Sequence, residues 1–155
     1  MNSRREVLKR SALVASLMMA AGLLPGIAAA QAAAFNTAAF DAKTMADLMK
    51  ALGSSAPTES KDVTIQGPDI AENGAVVPLG ASTTLPGVKR MLLLVEKNPS
   101  MLSAMFDFTD AVDPTINTRV KMGQTSNVIA VAMTNDGRVL FAQKEIKVTL
   151  GGCGG

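Results

Sequence analysis

The fold of this chain is indicated first by residues 116–122, INTRVKM, in which every second side chain from Ile116 to Met122 can face a core. The residues between them are polar, so the pattern has the period of two that is typical of a strand with one buried face. Residues 102–108, LSAMFDF, and residues 146–150, IKVTL, alternate in the same way. These three segments predict half-buried β-strands.

Two further segments, residues 91–95 (MLLLV) and 128–133 (VIAVAM), are apolar without alternation, which suits strands buried on both faces. Turn signals separate the segments at regular intervals, and two of them are dipeptides that favour tight hairpins. Seven or eight short strands spaced in this way predict a mainly β, antiparallel sandwich or barrel, and the pattern does not decide between the two. The turn signals are Asn73-Gly74, Asn98-Pro99-Ser100, Asp113-Pro114 and Asp136-Gly137.

One helix is predicted before the strands. Asn36 or Thr37 can cap it, and Gly53 stands where a helix stop belongs. Its apolar residues have the spacing i, i+3, i+4, i+7, which indicates one buried helix face. These residues are Met45, Leu48, Met49 and Leu52.

The chain has 155 residues, with one cysteine, five phenylalanines and no histidine, tryptophan or tyrosine. Without histidine it cannot form a Ser-His-Asp or Cys-His catalytic site or a Cys/His zinc site, and we expect no metal and no cofactor. Residues 31–155 carry eleven basic and twelve acidic side chains. This balance leaves no basic surface for nucleic acid or for an anionic membrane.

Two groups of side chains have ordinary structural interpretations. Asp107 and Asp110 fall at a strand end and in a loop, where solvated acids are expected, and no base accompanies them. Seven of the ten methionines follow residue 30, and we interpret them as core filling. An exposed methionine patch for a partner is the alternative.

Residues 1–30 predict a cleaved export signal. Arg4 and Arg5 precede an apolar stretch, and Ala28-Ala29-Ala30 offers a cleavage site that would start the mature chain near Gln31, with a cut after Ala32 as the alternative. The paired arginines resemble a twin-arginine signal, which exports folded proteins. We therefore expect a periplasmic protein, free of the membrane after cleavage and exported with a bound partner. Retention as a membrane anchor is the alternative.

The last five residues, Gly151-Gly152-Cys153-Gly154-Gly155, follow the final predicted strand. Glycine has no side chain to bury and loses the most conformational entropy when it is ordered, so a flexible arm is expected. The sole thiol would thus be held on a thin tether that can enter a narrow active site. No residue of the tail lowers its pKa, which favours a carrier whose thiol is activated by another protein rather than an enzyme. An interaction module stapled by an intermolecular disulfide through Cys153 is the alternative, and an enzyme in its own right is a weaker one.

The tail KVTLGGCGG, residues 147–155, closely resembles the C-terminus of the SoxY family, the substrate-carrying subunits of the periplasmic thiosulfate-oxidising Sox system. Residues 70–78 (IAENGAVVP), 95–99 (VEKNP) and 118–126 (TRVKMGQTS) resemble segments of the same family, and the twin-arginine signal fits it.

The resemblance implies an immunoglobulin-like antiparallel β-sandwich, over residues 31–150, between the signal (1–30) and a carrier arm (151–155). It implies a heterodimer with a SoxZ-type subunit and a sulfur cargo attached covalently to Cys153. It also implies transient contacts with three enzymes: the c-type cytochrome SoxAX, the dimanganese hydrolase SoxB and a sulfane dehydrogenase. Only Cys153 would carry substrate, with Gly151, Gly152, Gly154 and Gly155 forming the arm.

Overall fold

The structure, a computed structural model, describes residues 36–149. Two short helices precede nine strands in this range, and the mainly β fold predicted from the sequence is confirmed. The helices are α1 (Thr37–Asp41) and α2 (Met45–Ala51). The strands are β1 (Thr58–Glu59), β2 (Val63–Gln66), β3 (Ile70–Ala71), β4 (Val77–Thr83), β5 (Val88–Val95), β6 (Leu102–Asp107), β7 (Thr115–Val120), β8 (Ser126–Thr134) and β9 (Val139–Val148).

The strands form two sheets. The larger has the order β1-β9-β8-β5-β6, with β3 also pairing with β9, and the smaller has the order β2-β4-β7. Neighbouring strands are antiparallel except at one edge, where β1 and β3 both run parallel to β9. The predicted antiparallel sandwich therefore includes two short parallel pairings at this edge, because two-residue strands joined to their neighbours by loops can reach β9 in either direction.

The larger sheet is buried on both faces, as its apolar runs predict. Leu92 and Leu94 of β5 pack on one face against α1 and α2, whereas Met91 and Leu93 pack on the other face against the smaller sheet. Alternate residues of β8 divide between the two faces in the same way. Two sheets that share a core in this manner form a sandwich rather than a barrel.

The helical region differs from the single helix predicted. Asn36 caps α1, with its side chain accepting from the Ala39 N–H, but Ala42 is extended and ends that helix. Thr44 then caps α2 by accepting from the Asp47 N–H. Asn36 and Thr44 are therefore two separate helix starts. Gly53, with φ of 63°, follows the end of α2 as predicted.

The two hairpin signals have different outcomes. Asp136-Gly137 joins β8 to β9, and Gly137 has the positive φ (88°) that the turn requires. Asn73-Gly74 instead joins strands of different sheets, and the Asn73 side chain accepts from the Ala75 N–H at 2.9 Å. That side-chain bond stabilises a local turn without any pairing of the flanking strands.

The methionines act mainly as core residues. Five of the seven that follow residue 30 are buried and the other two, Met45 and Met105, are half-buried, so the described residues present no exposed methionine patch. Within residues 36–149 no helix is long and apolar enough to span a bilayer.

Candidate functional site

The residues predicted to carry the function, Cys153 with Gly151, Gly152, Gly154 and Gly155, lie outside the described residues, as do Arg4 and Arg5 of the signal. The structure does describe the strand from which the tail continues. The candidate site is therefore the end of β9 and the loops around it.

The end of β9 is held by hydrogen bonds on both edges. On one edge the Lys147 N–H donates to the Asp69 carbonyl at 3.0 Å and the Thr149 N–H donates to the Ala71 carbonyl at 3.1 Å. On the other edge the Val148 N–H donates to the Thr125 hydroxyl oxygen at 3.0 Å. Three successive amides are thus satisfied, and the backbone is fixed as far as Thr149.

Thr125 has a particular part in this arrangement. The regular pairing of β8 with β9 ends at Ser126 and Ile146, so no β8 carbonyl is paired with Val148. The Thr125 hydroxyl takes the place of that carbonyl. A side chain therefore extends the ladder beyond the end of β8.

Three loops meet around the end of β9: residues 72–76, 96–101 and 121–125. The Met122 N–H donates to the Gly74 carbonyl at 2.7 Å, which joins the first loop to the third. The Asn98 side chain joins the second to the third, because its Nδ2 donates to the Lys121 carbonyl at 2.7 Å and its Oδ1 accepts from the Gly123 N–H at 3.3 Å. The three segments that resemble the SoxY family therefore converge at the base of the predicted arm.

An apolar cluster lies beneath these loops. Its members come from both sheets, so it closes the sandwich at this end, and Val148 packs against it. The loops therefore rest on a rigid base. The buried members are Ala71, Val77, Leu79, Val95, Val120, Met122, Val128 and Ile146.

Lys144 is committed to this edge of the sheet and is not a free cation for the tail. Its Nζ donates to the Gly67 carbonyl at 2.6 Å and lies 2.8 Å from Asp69 Oδ1. The hydrogen bond from Lys144 holds the pKa of the Asp69 carboxyl below its usual value. Lys147 is exposed one residue before the last residue of β9.

The acidic pair expected to be ordinary solvated residues lies elsewhere. Asp107 pairs with Arg90, and the Arg90 Nη2 donates to Asp107 Oδ2 at 3.0 Å. The hydrogen bond that Arg90 donates to Asp107 raises the pKa of the Arg90 guanidinium. Asp110 is exposed in the loop after β6. Among residues 36–149 no cluster of three or more cysteine or acidic side chains could hold a metal ion.

Comparisons of sequence and of structure with known proteins both identify SoxY proteins as similar to this chain. The family model for sulfur oxidation protein SoxY matches residues 48–153, a range that ends at Cys153. The sulfur carrier protein SoxY from Chlorobium limicola f thiosulfatophilum is similar in structure, with 33% sequence identity, a TM-score of 0.60, and coverage of 66% of this chain and 93% of that chain. No curated protein sequence matches the chain.

The fold is also shared more widely. A superoxide reductase (neelaredoxin) from Ignicoccus hospitalis has a TM-score of 0.50 at 18% identity, covering 56% of this chain and 79% of that chain. At this identity the likeness concerns the fold alone.

The Thr125 contact can be tested by Thr125→Val, which removes the acceptor of the Val148 N–H and keeps the shape of the side chain. We expect a loss of about 1 kcal/mol in the free energy of unfolding. Because the lost bond is local, hydrogen exchange of the Val148 amide should accelerate about tenfold. The amide of Ala142 should accelerate by no more than the roughly fivefold that a loss of about 1 kcal/mol in global stability allows. Thr125→Ser retains the hydroxyl and is the matched control. An unchanged Val148 exchange rate in Thr125→Val would contradict the assignment.

The ion pair of Asp69 and Lys144 predicts a pH dependence. The pKa of Asp69 is lowered by folding from its ordinary value of 3.8, so its contribution to stability is present above that value and is lost as the pH falls through the lower folded pKa. Urea unfolding of the wild type and of Asp69→Asn, measured from about pH 5 to about pH 2, should show a difference that shrinks towards the acid end. A difference that is constant with pH would exclude this origin.

Proposed function

Since the chain belongs to the SoxY family of sulfur oxidation proteins, we propose that it is a sulfur carrier in thiosulfate oxidation, and that the thiol of Cys153 bears the cargo covalently. The observation that carries this proposal is the position of the cysteine. It stands in a stretch of glycine four residues beyond Thr149, where the backbone is still hydrogen-bonded to the sandwich. A position beyond the last strand suits a thiol that has to be offered to other proteins.

The proposed loading step joins thiosulfate to the thiol. The Cys153 S–H bond and a pair of electrons are lost, a sulfur–sulfur bond forms, and the product is a cysteine S-thiosulfonate. The proton goes to solvent, and the two electrons go to the c-type cytochrome SoxAX, which is the oxidant. Because the thiosulfonate group keeps a negative charge, the loaded tail is an anion.

Later steps act on the same sulfur chain. Water attacks the terminal sulfonate in the dimanganese hydrolase SoxB, so that sulfate and a proton leave and a persulfide remains on Cys153. The sulfane dehydrogenase then oxidises the outer sulfur of that persulfide to a sulfonate. Three waters supply the oxygen atoms, seven protons go to solvent, and six electrons go to a c-type cytochrome as acceptor. In each step the reactive groups belong to the partner enzyme, and this chain supplies only the tethered thiol.

We propose that the chain is acted on by partner enzymes and is not an enzyme itself. Asp69, beside the end of β9, is engaged in a surface ion pair with Lys144, and Asp107, away from the site, is engaged in one with Arg90. A general base needs a free carboxylate or imidazole near the reacting atom, and the chain has no histidine.

We infer that a SoxZ-type subunit binds the folded domain as a heterodimer partner.

Cys153→Ser tests the carrier role directly. We expect wild-type protein from thiosulfate-oxidising cells to contain thiosulfonate or sulfane adducts on Cys153 by intact mass spectrometry and peptide mapping. The variant should carry none, because serine oxygen is not oxidised to such an adduct. Its unfolding free energy and its co-purifying subunit should be unchanged, since Cys153 follows the last strand.

Two outcomes would contradict the proposal. Unmodified Cys153 throughout active turnover would remove the covalent carrier. Nearly complete crosslinking through Cys153 on non-reducing gels in the functional state would favour the disulfide-stapled interaction module instead.

Residues 1–30 lead to a proposal about location. We propose that Arg4 and Arg5 direct the folded chain through the twin-arginine pathway to the periplasm and that the signal is then removed. The mature protein in a periplasmic fraction should begin at or near Gln31 by N-terminal mass analysis, and Arg4→Lys with Arg5→Lys should leave it in the cytoplasm. Normal export of that double variant would exclude the twin-arginine route.

A further inference from the structure

Three large apolar side chains are exposed among residues 36–149: Ile70 at 55%, Val76 at 53% and Val112 at 59%. Scattered exposed apolar residues are ordinary on a protein surface. The positions of these three relative to β9 are what distinguishes them.

Ile70 and Val76 lie at the end of the sandwich where the chain leaves β9. Ile70 is paired with Lys147 in the parallel register of β3 and β9, so their backbones are about 5 Å apart. Because the two strands run in the same direction, the residues after Ala71 leave the sheet at the same end as the residues after Val148. Val76 closes the loop that begins there, directly before β4. We call Ile70 and Val76 the exit patch.

Val112 lies at the opposite end of the sandwich. It belongs to the loop between β6 and β7, and Phe108 and Pro114 in that loop are hydrogen-bonded to Lys89 and Thr83. Val88, the neighbour of Lys89, pairs with Thr134 at the far end of β8 from Ser126. Val112 therefore matches the exit patch in exposure and chemistry but not in position.

The length of the tail limits how far an enzyme can stand from the exit patch. Four residue steps separate Thr149 from Cys153, and a fully extended chain spans at most about 3.6 Å per residue, so the Cys153 Cα reaches no more than about 14 Å from Thr149. Any active site recessed below its own surface uses much of that length. The rim of the enzyme must then touch the surface that surrounds the end of β9.

We propose that the exit patch of Ile70 and Val76 is the docking surface for the enzymes that act on Cys153. This inference rests on the carrier function proposed above. The occupant it requires is an enzyme surface with apolar side chains around the mouth of a narrow active site. The exposed charges nearby are of both signs, with Lys97, Lys121 and Lys147 against Asp69, Glu72 and Glu96, so no charge of one sign dominates and the apolar pair is the feature we assign to docking.

The test compares the wild type with two variants, each as the mature protein together with its co-purified subunit. Ile70→Ser with Val76→Ser removes the patch, and Val112→Ser is the matched control. With oxidised c-type cytochrome of the Sox system and thiosulfate, adduct formation on Cys153 is followed by intact mass. We expect kcat/KM for loading to fall about tenfold in the patch variant and to be unchanged in Val112→Ser.

Two further measurements assign the cause. The rate of Cys153 alkylation by iodoacetamide should be equal in all three proteins, which shows that the thiol itself is unaltered. Insertion of four glycines after Leu150 roughly doubles the reach, by about 14 Å, so in that background the patch substitutions should matter less.

Several results would overturn the inference. Wild-type kcat/KM in the patch variant would show that no enzyme rests there, and an equal loss in Val112→Ser would show that the effect is general. Loss of the co-purifying subunit from the patch variant would assign Ile70 and Val76 to the heterodimer interface. The carrier function fails separately, if Cys153→Ser protein is as active as the wild type.

Discussion

The hydrogen bonds along both edges of the last residues of β9 are the constraint on which the site depends. A strand at the end of a domain tends to fray, because its final residues have few partners. Here β3 pairs with one edge of β9 and Thr125 caps the other, so the amides of residues 147–149 are all bonded. The point at which the tail begins is thereby fixed in space, and the positions that Cys153 can reach are defined relative to the folded domain.

Burial of the larger sheet on both faces makes the end of β9 rigid. β9 is paired with β8, and β8 is packed between the helices on one face and the smaller sheet on the other. Close-packed layers of this kind have low compressibility and resist deformation. The loops around the end of β9 are consequently held in place from below by the cluster that includes Met122 and Ile146. The sandwich therefore provides a fixed support for whatever follows Thr149.

Much of the fold could be predicted from the sequence because its strongest signals come from burial. The alternation in residues 116–122 corresponds to β7 and the continuous apolar run in residues 128–133 corresponds to β8. Burial of one face leaves a period of two in the sequence, and burial of both faces leaves an unbroken apolar run. The signals that failed were local ones. Asn73-Gly74 resembles a hairpin turn, but its position between two sheets is decided by tertiary contacts.

The contacts around the end of β9 could be predicted only in part, because they too depend on tertiary contacts. β3 has only two residues, too few to show a period, and its pairing with β9 is parallel and distant in sequence. Thr125 shows no signal of its own, because a threonine before a strand has many possible uses. Only the resemblance to the SoxY family connected residues 70–78 and 118–126 with the function. The fold brings both segments to the end of β9.

If the chain is the carrier proposed above, the composition of its tail has an energetic consequence for how enzymes would recognise it. Ordering the backbone of one residue costs roughly 1–2 kcal/mol, so holding five residues in an active site costs on the order of 5–10 kcal/mol. Side chains that could offset this cost are missing from a stretch of four glycines and one cysteine. Under the proposed carrier function, the same lack of side chains, which would let one thiol enter several different active sites, also removes the contacts that would keep it there. Affinity must then come from a surface that is already ordered, and the tether length allows only the surface around the end of β9 to supply it.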